Sequence, residues 1–490
     1  MFEGWKYQKI FDHFQKICVI PHGSYHEGTL SEYVYQFALS QGYTAMRDGH
    51  HNVLVRIPAS EGREQEPSCL LQGHLDMVCE KEDSVSYDFL KDPIRIHQEE
   101  DWLMAEGTTL GGDDGIAIAY MLTLMEEASQ ISHPSLELLM TSAEEVGMDG
   151  AKGLDPSWIL SRRMINLDSE KEGEFVVGGA GGMRVEVQHP LQRISVPEGY
   201  LPVEVKVSGL QGGHSGEDIH KQRGNANAIL GKYLFGWYNH CPDTLMVSLD
   251  GGSKDNAIPR EATARVWIPE HLYEHAQRGC WWFGEDLAKE YSESDPGAMI
   301  TMRIADPSLE AGWQWLPMNP EVTGEVVNFL HLCPNGVRSM SKDFGGIVES
   351  SQNVAVLYTQ EQDWYCRISM RSNRGVLLSN MLDRIRIMAE MSGMSCTKGS
   401  EYPAWDYKKE SRLRDQMYRF FQRMYERDPE IRVLHAGLEC GIFASKIPDM
   451  DMVSIGPDME NVHSPKERLR ISSVQRVWEF LVRFLENPTE

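Results

Sequence analysis

Residues 68–76 read Ser-Cys-Leu-Leu-Gln-Gly-His-Leu-Asp, and this run decides the fold. Its apolar stretch is short and bounded by turn residues, the mark of a strand buried on both faces of a sheet. A similar run, Asn52-Val-Leu-Val-Arg-Ile-Pro, precedes it. A helical stretch at 115–128, a strand at 135–142 and another at 163–167 follow. Strands alternating with helices imply an α/β layer on a mostly parallel or mixed sheet. Helical periodicity over 5–20 (Trp5, Ile10, Phe11, Phe14, Ile17) and again over 30–42 opens the chain.

From about Met183 the texture changes. Arg184-Val-Glu-Val-Gln and Leu201-Pro-Val-Glu-Val-Lys-Val-Ser-Gly alternate apolar with polar, as half-exposed antiparallel strands do. Helices are expected at 224–234, 269–290 and 375–392, and strands near 245–249, 261–268, 299–304, 354–358 and 364–370. That is an α+β domain. A helix at 411–425, a strand at 452–455 and an amphipathic helix at 472–485 close the chain. Residues of metal-binding type occur before 170 and again at 463, so the second domain is expected as an insertion. The boundaries read 1–185, then 186–380, then a return to the first domain over 381–490.

The chain has 490 residues, of which 41% are hydrophobic and 9% aromatic, enough to bury large cores. Its formal charge of −26 argues against nucleic acid, whose phosphates need basic patches. No apolar run reaches membrane-spanning length, and the first residues lack a signal-peptide stretch, so a soluble cytoplasmic protein is expected. The nine cysteines are dispersed with no C-x-x-C pair, which suits reduced thiols.

Chemistry concentrates in Gln72-Gly-His74-Leu-Asp76, Gly111-Gly-Asp113-Asp114-Gly, Glu144-Glu145, Asn166-Leu-Asp168 and Val462-His463-Ser-Pro. His74 and Asp76 end an apolar run and share a strand face, so Asp76 is placed to orient the imidazole. Asp113 and Asp114 precede a helix, where one acid serves as cap. The other is a natural bridge between two cations; Asp113 is favoured as the ligand and Asp114 as the cap or as support behind the ligands. Of Glu144 and Glu145, which project differently, one is expected to ligate and the other to act as general base. Asp168 and His463 complete the set. Oxygen and imidazole donors without Cys suit zinc, manganese or cobalt, and two such ions are the equipment for hydrolysis. The bland readings are a solvated strand end, a helix cap, an acidic loop and a surface His. H-E-x-x-H, a P-loop and G-x-S-x-G are absent, and Gly178-Gly-Ala-Gly-Gly lies between two strand-like runs, not where a dinucleotide loop would.

Further ordered motifs include Ile20-Pro-His-Gly-Ser-Tyr-His-Glu, Thr108-Thr-Leu-Gly-Gly-Asp-Asp-Gly-Ile and Ser142-Ala-Glu-Glu-Val-Gly. They continue with Gly209-Leu-Gln-Gly-Gly-His-Ser-Gly, Gly224-Asn-Ala-Asn and His435-Ala-Gly-Leu-Glu-Cys-Gly. With these the whole chain resembles the co-catalytic metallodipeptidase family of the aminoacyl-histidine, or cytosol non-specific, dipeptidases. The resemblance implies a zinc-aminopeptidase-like α/β catalytic domain with an inserted α+β lid and dimerisation domain, and a possible homodimer. It implies His74, Asp113, Glu145, Asp168 and His463 as ligands of two divalent ions, most often zinc, with Asp113 bridging. Glu144 becomes the base, Asp76 the orienting acid, and His214 a group that approaches the scissile carbonyl as the domains close, with hinges near 185 and 380. The substrate implied is an unblocked dipeptide, Xaa-His among others. Asp114 departs from the Asn usual after the bridging acid, which bears on metal affinity and preference. The alternatives are an amidohydrolase of N-acyl amino acids and a non-catalytic metal-dependent peptide binder.

Overall fold

The computed structural model describes residue 2 and residues 4–309 and 312–487. The chain divides into two compact units. One comprises Met1–Gly178, Tyr407–Val433 and Leu438–Glu490; the other comprises Gly179–Asp406 and Leu434–Gly437.

The first unit is built on an eight-stranded sheet. Its order is Thr44–Arg47, Val53–Ile57, Leu136–Thr141, Cys69–His74, Arg163–Asn166, Asp451–Ser454, Glu174–Gly179, Glu430–Leu434. The four central strands, Leu136–Thr141 to Asp451–Ser454 in that order, run parallel. Cys69–His74 and Leu136–Thr141 are buried at every position, which is why their sequences are apolar without alternation. The helix Gly112–Glu127 is buried continuously from Gly112 to Met125 and packs on Cys69–His74. Only a helix apolar on all sides tolerates that position. Gln8–Val19 covers it in turn, and Arg412–Tyr425 lies against Asp451–Ser454 and against Ile471–Glu486.

The second unit is a nine-stranded sheet. Met299–Ile304, Tyr200–Ser208, Ala262–Pro269, Leu245–Gly251, Val348–Thr359, Asp363–Ser372, Gly181–Pro190 and Ser395–Tyr402 follow one another, and Gly336–Met340 pairs with Val348–Thr359. Every pairing in it is antiparallel. Alternate residues point into one core that includes Val185, Val205, Leu230, Trp364 and Ile385. A helix the sequence reading lacks, Pro320–Leu332, starts with Asn319 accepting from the Val322 N–H and Pro at its first turn.

The units meet in sequence at 178/179 and 406/407, where the sequence reading has 185/186 and 380/381. Gly181–Pro190 pairs along its length with Asp363–Ser372, so its glycine-rich start already belongs to the second sheet. Leu378, Leu382, Ile385 and Ala389 of the helix Gly375–Met391 belong to the second core, and Ser395–Tyr402 pairs with Gly181–Pro190. That edge strand is mostly exposed and carries no apolar pattern to read. Among the described residues no helix is long and apolar enough to cross a membrane.

Candidate metal centre

Parallel strands bring their carboxyl ends to one edge of the sheet, and loops leaving that edge are where α/β proteins build sites. His74 ends the strand Cys69–His74. Glu144 and Glu145 lie in the turn after Leu136–Thr141, Asp168 just after Arg163–Asn166, and His463 in the loop beyond Asp451–Ser454. Asp113 enters from the start of the buried helix Gly112–Glu127.

Asp113 joins the two imidazoles. Its Oδ1 lies 3.0 Å from His74 Nε2, and its Oδ2 lies 3.1 Å from His463 Nε2. His463 Nε2 is also 2.9 Å from Glu145 Oε1, and His74 Nε2 is 3.6 Å from Asp168 Oδ1. His74 Nδ1 faces the Asp76 carbonyl oxygen at 3.0 Å, so Nδ1–H donates there and Nε2 is the nitrogen left for a cation. Three trios of side chains offer ligand atoms within 4.8 Å of one another: Asp113, Glu145 and His463; His74, Glu144 and Glu145; His74, Asp114 and Asp168. The sequence-derived donors of this unit therefore come together.

The electrostatics are those of a site short of positive charge. Burial pushes Glu144 well above the usual carboxylate range, with the Asp168, Glu145 and Glu439 charges adding and His74 opposing. Burial likewise raises Glu145 and takes Asp168 up to about 6. Burial also works to raise Asp113, but the His463 and His74 imidazoles outweigh it and hold this carboxyl far below its ordinary value. The same contacts overcome burial at His463, raising it to about 11 through Asp113 and Glu145. The ion pairs of Asp113, Glu145 and Asp168 are made with these two imidazoles. Buried carboxylates in excess of their counter-charges are costly, and divalent cations on oxygen and imidazole donors remove that cost.

Asp76 faces the His74 Nδ1 and also serves the neighbouring turn. Its backbone carbonyl, rather than its carboxylate, makes the shorter contact to the His74 ring; Oδ1 stands 3.5 Å away. The carboxylate accepts from the Glu144 N–H at 2.9 Å, the Glu145 N–H at 3.2 Å and the Ser24 hydroxyl at 2.8 Å. It anchors the whole Glu144-Glu145 turn. Of the two readings of Asp114, helix cap or support behind the ligands, the contacts fit the second. Asp113 and Asp114 have non-helical backbone angles, and Gly111 stands at the cap position with φ 71°. Asp114 Oδ2 instead accepts the His74 N–H at 3.1 Å, under Gly73, where any side chain would collide with it.

His214 belongs to the second unit, on the short strand Gly213–His214. Its Nδ1 accepts from the Glu217 N–H at 3.1 Å, which leaves Nε2 as an N–H donor. Burial and the nearby Arg371 charge lower its pKa. In the same unit His435 lies between the Asn373 amide oxygen, 3.1 Å from Nδ1, and the Ser351 hydroxyl, 2.7 Å from Nε2. Burial takes His435 down to about 3. Arg371 Nε, Asn373 Nδ2 and Ser215 Oγ are buried there without hydrogen-bond partners.

Sequence reasoning missed several of these groups. Ser24 and Glu439 stand inside motifs already singled out, and Glu439 accepts from Gln72 Nε2 at 2.5 Å and Thr141 Oγ1 at 2.6 Å behind the His74 strand. Glu467 follows His463 closely in the chain. Arg371 and Asn373 end an ordinary strand, where nothing in the local pattern sets them apart.

The description "Peptidase family M20/M25/M40" matches residues 70–487. The cytosol non-specific dipeptidase of Escherichia coli K12 is 36% identical over 98% of this chain and 97% of its own length. The crystal structure of aminoacylhistidine dipeptidase from Vibrio alginolyticus superposes with a TM-score of 0.90 at 35% identity, covering 99% of this chain and 98% of that one. An aminopeptidase from Bacillus cereus, at 14% identity and a TM-score of 0.54 over 99% of both chains, shares the fold.

Proposed function

We propose that this chain, which belongs to peptidase family M20/M25/M40, hydrolyses unblocked dipeptides, Xaa-His among them, at a centre for two divalent cations. The observation that carries the reading is the Asp113 carboxylate, one oxygen toward His74 and the other toward His463. We assign His74, Asp113, Glu145, Asp168 and His463 as the ligands, with Asp113 shared and zinc the best fit ahead of manganese or cobalt. When bound, such ions polarise the scissile carbonyl and bring the pKa of water toward neutrality. Glu144, pinned through its N–H to Asp76 Oδ1, takes the proton of the attacking water and returns it to the leaving amine. His214 offers its Nε2–H to the developing oxyanion. The two dipeptidases that resemble the chain over nearly its full length support this substrate class, and the name of the first supports a cytosolic setting.

A substrate panel tests the reading. Free dipeptides should be turned over at least tenfold faster, in kcat/KM, than N-acyl amino acids of the same side chains. The reverse ranking would make the chain an amidohydrolase and end the dipeptidase assignment.

His214→Ala should lower kcat about 100-fold, the usual cost of one oxyanion donor, while metal content stays at the parental level. Metal loss in that variant, or unchanged kcat, would show that His214 has another role.

A further inference from the structure

Glu467 is buried at 3% exposure, in a stretch where charged residues are otherwise largely open to solvent. Its carboxylate is aimed away from the loop that carries it. Oε2 accepts the N–H of Leu110 at 2.8 Å and of Gly111 at 3.2 Å. Oε1 accepts the N–H of Gly112 at 2.7 Å and, more weakly, of Asp113 at 3.5 Å. Four consecutive backbone donors thus converge on one side chain, at the helix start where such donors lack intrahelical partners. The two glycines make the approach possible. Gly111 has φ 71°, and a side chain on Gly112 would meet Glu467 Oε1 at 3.2 Å and Met459 Sδ at 3.3 Å.

The same short segment carries His463, whose Nε2 lies 3.1 Å from Asp113 Oδ2. A closed ring results: from His463 along the chain to Glu467, across the carboxylate to the Asp113 backbone, and back through the Asp113 side chain to the imidazole. The two donors are 350 residues apart in sequence, and nothing local to either sets their separation. Ser464 stiffens the ring further, its carbonyl accepting the Glu467 N–H at 3.0 Å.

We propose that Glu467 is a positioning residue that holds Asp113 in register with His463, so that the cation shared by Asp113, Glu145 and His463 depends on it. This rests on the two-cation reading above. Glu467 touches neither ion nor substrate. Glutamine keeps the volume but turns one acceptor into a donor facing other donors, and aspartate keeps the charge but falls short by one methylene.

The experiment compares Glu467→Gln and Glu467→Asp with the parent protein, full length in every case. Zinc stoichiometry and affinity are measured by competition with a chromophoric chelator, and backbone hydrogen exchange is followed by mass spectrometry. The parent should bind two ions. Both variants should bind the ion held by Asp113, Glu145 and His463 about 10- to 100-fold more weakly, the usual cost of losing a group that orients a ligand, and the other, which keeps His74 and Asp168, with a smaller loss. Exchange should quicken at 110–113 and stay unchanged at 69–74 and 136–141. Excess zinc should restore part of kcat with little change in KM. Two ions bound at parental affinity in both variants would overturn the proposal. So would faster exchange throughout the sheet, which would mean a merely structural role. A parent that binds no ion would overturn the two-cation reading itself, a result visible before any variant is compared.

Discussion

Glu144→Gln is expected to lower kcat about a thousandfold, in the middle of the range for loss of a general base, while both cations remain bound. The expectation comes from how the turn is built. Glu144 and Glu145 are neighbours whose backbone N–H groups are both held by the Asp76 carboxylate, yet their side chains do different things. Glu145 Oε1 contacts His463 directly, as a co-ligand should, whereas the close contact that fixes Glu144 is through its backbone. An amide at 144 keeps the volume and that backbone bond but has no basic oxygen to accept the proton from water. Kinetics on a good dipeptide with metal analysis of the same sample check this: KM should hold within a few-fold and metal content should match the parent's. Near-normal turnover would refute the base assignment. Loss of metal would instead move Glu144 into the ligand set, where one of the clustered trios already has it within reach of His74 and Glu145.

Chelation is expected to bring turnover to the uncatalysed level, and zinc, manganese or cobalt to restore it. The argument is one of charge. Asp113 is buried and Glu145 and Asp168 are half-buried around two imidazoles, with Asp114 and Glu144 close by. Without divalent ions the imidazoles must serve as the cations, as the rise of His463 to about 11 indicates. A protonated imidazole has no lone pair to offer and cannot polarise a carbonyl as a metal does. The apo protein should stay folded, because its sheet and helices bury their apolar faces independently of the centre. It should nonetheless melt at lower temperature, since ions at a hundredfold excess over Kd stabilise by about 2.7 kcal/mol per site. Full activity after exhaustive chelation, with metal analysis showing an empty protein, would remove the basis of the mechanism.

Several of the candidate donors could be singled out in the chain because they sit beside a buried run. Leu70, Leu71 and their neighbours announce a strand, and a His at its end is conspicuous; the same holds for Asp168 after Met164 and Ile165. The split of these residues between the two ends of the chain already implied an inserted unit. Its limits were misjudged where the signal is weak, at the glycine-rich start of Gly181–Pro190 and along the exposed edge strand Ser395–Tyr402. The helix Pro320–Leu332 escaped because its apolar residues fall among others of mixed character.

Pattern along the chain therefore determined which residues could serve as donors, since burial and hydrogen-bond needs are written into short runs of sequence. It could not say which atoms meet. That Asp76 clamps the Glu144-Glu145 turn as well as facing the His74 ring, that Asp114 supports the strand, and that Glu467 ties residues 110–113 to the His463 loop are decisions of tertiary structure. Each is a contact between segments far apart in sequence. Such contacts depend on the register of packed strands and helices, a quantity no single stretch of residues contains.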